Sequence, residues 1–532
     1  MYIMNKLLKF ICLGALLAGC AGTGNRWYSA SEKEAVSTPA MLQYGSYSAN
    51  MYGTAGQSHK IAVLLPTSGK NAIVGQSIRP AIEMAAMEFA PDGLQINFFD
   101  TGNGNPTEVI ARALDTDPDI IIGPVFAENA KTIRALKPSY LPVLSFTSDI
   151  SAVGDGVMSM SLMPTNTIEA IMQRMKQNGS EKFIIIAPDS QSGHIMAGIA
   201  KSLNGTYNLE NTGVFFYTEG NSESLRATTM AAAMYTPRNA ANTRAKEILS
   251  DILNHEELSG TERVSIANQL EHIKKRDTLG EIPYDSVLFL GNGHDTKSLA
   301  SFMRYFDIGV HDAKFYGTSL WEGGDIESDI TMIGSEFAAL PEIPTRFSES
   351  YQNATGIAAP RMAAIGYDAT MLAIDAIYSN DDISGKLLNQ SGYVGTNGLF
   401  RLRPNGSNER ALQIARLNGD NTVTVIKKPA ETFIESMYSL NSNNITPAES
   451  MSLNTPGVNP NKYLDLPERL RKKYRSKTYG ANYTPAITTP ELPAVTVLPE
   501  DDSDVSVTAE NYEPVKLESV SRNYIESTEI IE

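Results

Sequence analysis

The sequence predicts an α/β protein of two doubly wound parallel-sheet lobes. Three observations predict it. Short runs that are apolar throughout, such as Ile61-Ala62-Val63-Leu64-Leu65-Pro66, suit strands buried on both faces. Segments with apolar residues at helical spacing alternate with these runs. The alternation pauses near Pro164 and then restarts, so there are two series and not one long sheet.

In the first series, the strand over 60–66 ends at the turn Thr67-Ser68-Gly69-Lys70. A helix over 74–89 follows, with Ile78, Ile82, Ala85, Ala86 and Phe89 at helical spacing, and Pro91-Asp92-Gly93 stops it. Strands over 94–99, 119–122 and 141–145 then alternate with helices over 106–114 and 127–136. The second series predicts helices over 165–178, 193–203 and 295–306, with strands over 182–187, 214–217, 284–290 and 314–317. Between 219 and 282 the strand signal vanishes, while 244–253 and 262–275 read as charged helices. This stretch is predicted to be a helical hairpin with mobile flanks, inserted in the second lobe. Helices over 347–353 and 361–377 come next. Alternating segments then flank Pro404-Asn405-Gly406, as in a β-hairpin, and strands over 411–417 and 422–426 continue it.

The predicted lobes are 59–162 with 318–390, and 163–317 with 391–428. Past 428, Pro, Ser, Thr and Asn dominate, and 429–532 is predicted to be a disordered tail. That tail carries a basic cluster at 469–477: Arg469, Arg471, Lys472, Lys473, Arg475 and Lys477, interleaved with Leu470 and Tyr474. The cluster reads either as a solvated patch or as a contact for anionic lipid headgroups or an acidic partner.

The chain has 532 residues and a net charge of −16, which argues against nucleic acid as a partner. Its last 52 residues hold 11 acids against 2 bases, so the part predicted to fold is only mildly acidic. Both cysteines lie in the first 20 residues, which excludes a disulfide scaffold and a cysteine-rich metal site. Lys6 and Lys9 precede a short apolar stretch ending in Leu17-Ala18-Gly19-Cys20, the layout of a secretory signal over 1–19. Leu-Ala-Gly-Cys resembles the bacterial lipobox. That resemblance implies lipidation of Cys20 after cleavage, a flexible tether over 20–58, and a periplasmic protein held by lipid to the envelope, at the outer membrane.

Enzyme signatures are missing. Gly291-x-Gly293 has Thr296 where a dinucleotide fingerprint needs its third Gly, no Gly-x-Ser-x-Gly elbow occurs, and the six histidines lack zinc-ligand spacing. The expectation is a non-catalytic protein with no cofactor and no metal.

Four segments carry a resemblance to the type I periplasmic-binding fold, the family of the Leu/Ile/Val-binding proteins. They are Ile61 to Gly69 followed by Val74-Gly75-Gln76; Ile121-Ile122-Gly123-Pro124 followed by Pro142-Val143-Leu144-Ser145; Gly366-Tyr367-Asp368-Ala369; and Gly398 to Gly406. The resemblance implies two lobes joined by three crossover strands, with ligand held in the cleft between them. One branch is similar in more respects. Penicillin-binding-protein activator lipoproteins combine a lipidated N-terminus with this fold, and their C-terminal segments resemble Gly398 to Gly406 and the following Glu409-Arg410-Ala411-Leu412.

In amino-acid binders of this family, hydroxyls and amides hold the ligand's charged ends. Here Val125-Phe126-Ala127 follows Gly123-Pro124, so hydroxyls are absent there, whereas Ser145, Thr147 and Ser148 follow the next strand. In the second lobe Asp295 follows a strand, where the resemblance places an acidic contact. These four are the candidate ligand-binding residues, although Ser, Thr and Asp also cap helices and close turns. The first functional expectation is binding of an amino acid or similar small polar solute for an ABC transporter, with an ABC permease as partner. The alternative is a regulatory lipoprotein that activates a peptidoglycan synthase.

Overall fold

The computed structural model describes residues 39–41, 59–322, 325–379, 382–433, 445–453 and 457–479. The expected signal peptide, Cys20, the expected tether up to 58 apart from 39–41, and the acidic end lie outside the described residues.

The first lobe opens with β1 (Ala40–Met41), β2 (Lys60–Leu65), α1 (Ala72–Phe89), β3 (Gln95–Asp100), α2 (Pro106–Leu114), β4 (Ile120–Ile122), α3 (Ala127–Leu136), β5 (Val143–Ser145) and β6 (Val157–Ser159). Strands β3-β2-β4-β5-β6 form one parallel sheet. Strand alternation divides β2 between two cores: Ile61, Val63 and Leu65 face one, Ala62 and Leu64 the other. This is why the run has no polar positions.

After the first crossover come α4 (Pro164–Gln177), β7 (Lys182–Pro188), α5 (Gln191–Ser202), α6 (Asn204–Tyr207), β8 (Glu210–Tyr217), α7 (Ser222–Ala232), α8 (Tyr235–His255) and α9 (Gly260–Lys274). Then follow β9 (Ser286–Phe289), α10 (Gly293–Tyr305), β10 (Lys314–Gly317) and β11 (Glu336–Ala339). The chain recrosses to α11 (Thr345–Thr355), α12 (Arg361–Ile377), α13 (Ile383–Leu387), β12 (Tyr393–Gly395), β13 (Gly398–Leu402) and β14 (Asn408–Arg410). It returns once more as β15 (Gln413–Leu417) and β16 (Val423–Lys427), and a later helix, α14 (Glu468–Lys473), completes the second lobe. The second sheet runs β16-β15-β11-β10-β9-β7-β8, with β15 and β16 antiparallel to their neighbours. Helix α12 packs on α1, and Gly366 permits it: a Cβ there would lie 2.7 Å from the side chain of Ile78.

The two lobes and three crossovers are as expected, but the lobe boundaries differ. Residues 318–340 belong to the second lobe, because β11 pairs in parallel with β10. Strands β12 to β14 belong to the first lobe, because Tyr393, Phe400 and Leu402 enter its core beside α12. The flanks expected to be mobile are ordered. Helix α7 caps its start with Asn221 and buries Leu225, Thr229 and Ala232 before the α8–α9 hairpin begins.

The expectation of disorder from 429 fails over two stretches. Residues 445–453 run along the second lobe, where Met451 bridges Val214 on β8. Residues 457–479 wrap the hairpin, where Leu464, Leu466 and Leu470 join Ile248, Ile252, Ile266 and Leu270 in a core of their own. Those leucines sit among Pro, Asn and Lys, so no periodicity announced them.

Candidate functional site

The cleft lies at the carboxyl ends of the parallel strands, as open α/β sheets require. On the first-lobe side, Asp100 at the end of β3 locks the loop after β2. It accepts the amides of Thr67 at 2.9 Å, Ser68 at 3.2 Å and Gly102 at 2.8 Å, and the Ser68 hydroxyl. Burial pushes its carboxyl up, but the Ser68 hydroxyl and the three amides outweigh that and hold it below its ordinary value.

The next loop is fixed the same way. The Gly123-Pro124 peptide is cis, and Ser145 donates its hydroxyl to the Pro124 carbonyl at 2.8 Å. The Thr147 amide donates to Ser145 Oγ at 3.3 Å, and the Asp149 amide to Thr147 Oγ1 at 3.1 Å. Ser159 and Ser161 donate to the carbonyls of Thr147 and Phe146. Ser145 and Thr147 are therefore buried within the loop's own hydrogen bonds, and Ser148 alone of the three is exposed.

On the second-lobe side, Asn292 caps α10 and donates its side chain to Asp295 at 3.3 Å. Asp295 is buried and accepts the Gly220 amide at 3.3 Å, which ties the β8–α7 loop to the start of α10. Tyr217 closes over this corner. A Cβ on Gly291 would lie 1.9 Å from its hydroxyl oxygen, which is buried with no hydrogen-bond partner among the described residues. Burial raises the Tyr217 phenol well above its ordinary pKa, and Asp295 and Glu219 add to the shift.

The structure does not bring the four candidates together. A cavity of about 190 Å³ lies in the cleft, lined by Ser148, Asp149 and Ile150 from the first lobe, and by Met163, Ser192 and Ile195 among others. Ser148 is the only candidate on its wall. The lining mixes apolar side chains with Asp149, Thr165, Gln191 and Ser192, and the volume falls below the roughly 300 Å³ at which ligand pockets begin. A larger cavity of about 830 Å³ lies away from the cleft in the second lobe, where Arg238, Tyr284, Asp307 and Tyr463 line it.

Sequence reasoning missed the residues that join the lobes. Asn408 on β14 donates to the carbonyls of Ser159 at 2.9 Å and Ser161 at 2.6 Å, and accepts from Asn166 at 2.8 Å. Arg410 donates its amide to Asn166 at 3.2 Å and a guanidinium nitrogen to the Met160 carbonyl. Burial lowers the Arg410 pKa to about 10, although Asp368 nearby favours its charge. Polar residues on a short strand that otherwise reads as surface were the available signal.

A family described as LppC putative lipoprotein matches residues 52–202. A penicillin-binding protein activator LpoA of Mannheimia succiniciproducens is 29% identical over 144 residues, which is 26% of this chain and 25% of that protein. The match thus spans about a quarter of the relative's length. Among solved structures, a putative branched-chain amino acid ABC transporter from Rhodospirillum rubrum has a TM-score of 0.52 at 14% identity, covering 70% of this chain and all of that one. The C-domain of LpoA from Haemophilus influenzae, described as a regulator of PBP1A, has a TM-score of 0.47 at 15% identity over 69% of this chain and 99% of its own. The chain has the type I periplasmic-binding fold, and its residues 52–202 are similar in sequence to the LppC lipoproteins.

Proposed function

We propose that this chain is a non-catalytic, lipid-anchored regulator of a peptidoglycan synthase, which uses the binding-protein fold as a docking scaffold. The observation that carries this reading is the sequence similarity of 144 of its residues to a penicillin-binding protein activator. The cleft supports it. Ser145, Thr147 and Asp295 spend their polar atoms on loop and helix-cap bonds, and of the four only Ser148 reaches the small cavity. Solute binding for transport, placed first from the sequence, rests on a fold that serves many functions. If a small solute does enter, Ser148 is its contact, with Ser145, Thr147 and Asp295 as positioning residues.

The test is the peptidoglycan-polymerising rate of purified penicillin-binding proteins from the same cell, with and without this chain. The expected result is a higher rate for at least one of them. No stimulation of any, together with a raised melting temperature in the presence of amino acids, returns the reading to solute binding. The lipid anchor has its own test: Cys20→Ser releases the chain from the membrane fraction.

A further inference from the structure

Residues 457–479 hold seven bases against two acids in a chain whose net charge is −16. The structure sorts these cations into two sets. Leu464, Leu466 and Leu470 are buried against α8 and α9 and fix the segment's orientation. On the inner side, Arg469 pairs with Glu262 at 3.0 Å and Lys473 with Glu256 at 2.6 Å, while Tyr474 donates to Glu256 at 2.8 Å. On the outer side, Arg471 and Arg475 are exposed with no acid in ion-pair range among the described residues. The exposed Lys472 reaches only Glu468, at 3.6 Å. Lys462 and Lys477 are exposed on the same segment.

We propose that Arg471, Lys472 and Arg475 form an electrostatic docking surface for an anionic phospholipid membrane. Charge complementarity selects an anionic occupant. The absence of any large exposed apolar side chain on α14, whose Leu470 points inward, selects a headgroup plane over a protein. A protein interface is built around a desolvated aromatic or apolar anchor, whereas a membrane surface attracts mobile basic side chains additively, at roughly fivefold in partitioning per cation. The proposal rests on the lipid-anchor reading only for the proximity of a bilayer. It would hold the second lobe against the membrane that Cys20 tethers.

The test is co-sedimentation of the full chain carrying Cys20→Ser, at low salt, with phosphatidylcholine vesicles that contain or lack phosphatidylglycerol. The expected result is binding to the anionic vesicles alone, weakened by added salt and at least about tenfold by Arg471→Glu/Arg475→Glu. The charge reversal Lys70→Glu/Arg112→Glu on the first lobe is expected to leave binding within about threefold. An unchanged melting temperature shows that the variants fold. No binding, or equal loss in both double variants, overturns the proposal. So does retention of the chain by a purified synthase through Arg471 and Arg475 without vesicle binding, since the surface is then a protein contact. Because the lipid is absent throughout, failure here is separate from failure of Cys20 anchoring.

Discussion

Asn166 and Asn408, 242 positions apart, share a buried side-chain hydrogen bond of 2.8 Å where the chain crosses between the lobes. Asn408 also donates to the carbonyls of Ser159 and Ser161, just before the first crossover. One side chain therefore joins two of the three crossovers. Shape alone does not fix the lobes here, because the contacts are directional and their partners have no water to replace them.

Asn408→Ala is expected to destabilise the chain by about 3 kcal/mol in denaturant unfolding, because buried carbonyls lose their donor. Asn408→Asp keeps the shape but sets an acceptor against two acceptors. It is expected to cost at least as much, and wild-type stability in that variant would refute the hydrogen-bond account.

Glu336 on β11 provides a second test. It is 5% exposed as a side chain and accepts from Arg174 at 2.7 Å, Arg416 at 2.7 Å and Asn178 at 2.9 Å. Burial pushes its carboxyl up, but the two arginines and Asn178 outweigh that and hold it below its ordinary value. A depressed folded pKa contributes stability that is full above the unfolded pKa of about 4.3 and is lost as pH falls through the folded value. Glu336→Gln is therefore expected to cost about 3 kcal/mol near neutral pH, since it leaves two guanidiniums without their counter-charge. The gap from wild type should close in strongly acidic solution. A gap independent of pH would mean that the carboxylate charge is not what matters.

Much of the fold was legible in the sequence because burial on both faces erases polar alternation, as in β2 and β7. The strand over 182–187 is observed as Lys182–Pro188, and the helix over 106–114 as Pro106–Leu114. Strand β11 was not legible, since Glu336 opens it and the run is four residues long. That charge is tolerated only because Arg174 and Arg416 converge on it from distant positions, which no local window contains. Residues 445–453 and 457–479 were missed for a related reason: their apolar residues fill gaps in a surface already built by other elements. In the site, the sequence offers Ser145, Thr147, Ser148 and Asp295 by residue type alone. The side chains of Ser145, Thr147 and Asp295 turn inward while Ser148 is exposed, and composition does not encode that orientation.

His194 ties residues 445–453 to α5 through Ala448, and that tie is expected to depend on pH. Its Nδ1 lies 2.7 Å from the Ala448 carbonyl, its Nε2 lies 2.8 Å from Asp189, and its ring stacks on Phe216 at 3.9 Å. Both partners are acceptors, so only the doubly protonated ring satisfies both. The Asp189 carboxylate and the Ala448 carbonyl raise its pKa above the ordinary value. A raised folded pKa gives stability that is full below about 6.5, the unfolded value, and is lost as pH rises through the folded one. Amide exchange over 445–453, corrected for intrinsic rates, is expected to accelerate across that rise. His194→Phe, which keeps the stacking, should abolish the pH step. Persistence of the step would place the titrating group elsewhere.

Gly198 gives the same segment a steric test. A Cβ there would lie 2.2 Å from the Thr446 carbonyl oxygen. Gly198→Val is expected to free residues 445–453, with exchange rising there while β7 stays protected. Uniform loss of protection would show instead that α5 itself had been disrupted.

Gly291 and Tyr217 allow a prediction that repairs itself. The Tyr217 hydroxyl is buried, has no hydrogen-bond partner among the described residues, and occupies the space that a Gly291 side chain would need. Gly291→Ala is expected to cost about 2 kcal/mol, as overpacking of a fixed core does. Tyr217→Phe alone should be neutral or slightly stabilising, because a buried hydroxyl without a partner contributes only its desolvation cost. The double variant Gly291→Ala/Tyr217→Phe removes the oxygen that the new methyl would strike, and should recover at least half of the loss. The coupling in that double-mutant cycle is the deciding measurement. Strict additivity would mean that Gly291 is required for its backbone conformation, and that the corner beside Asp295 is set by the β9–α10 turn and not by the ring packed over it.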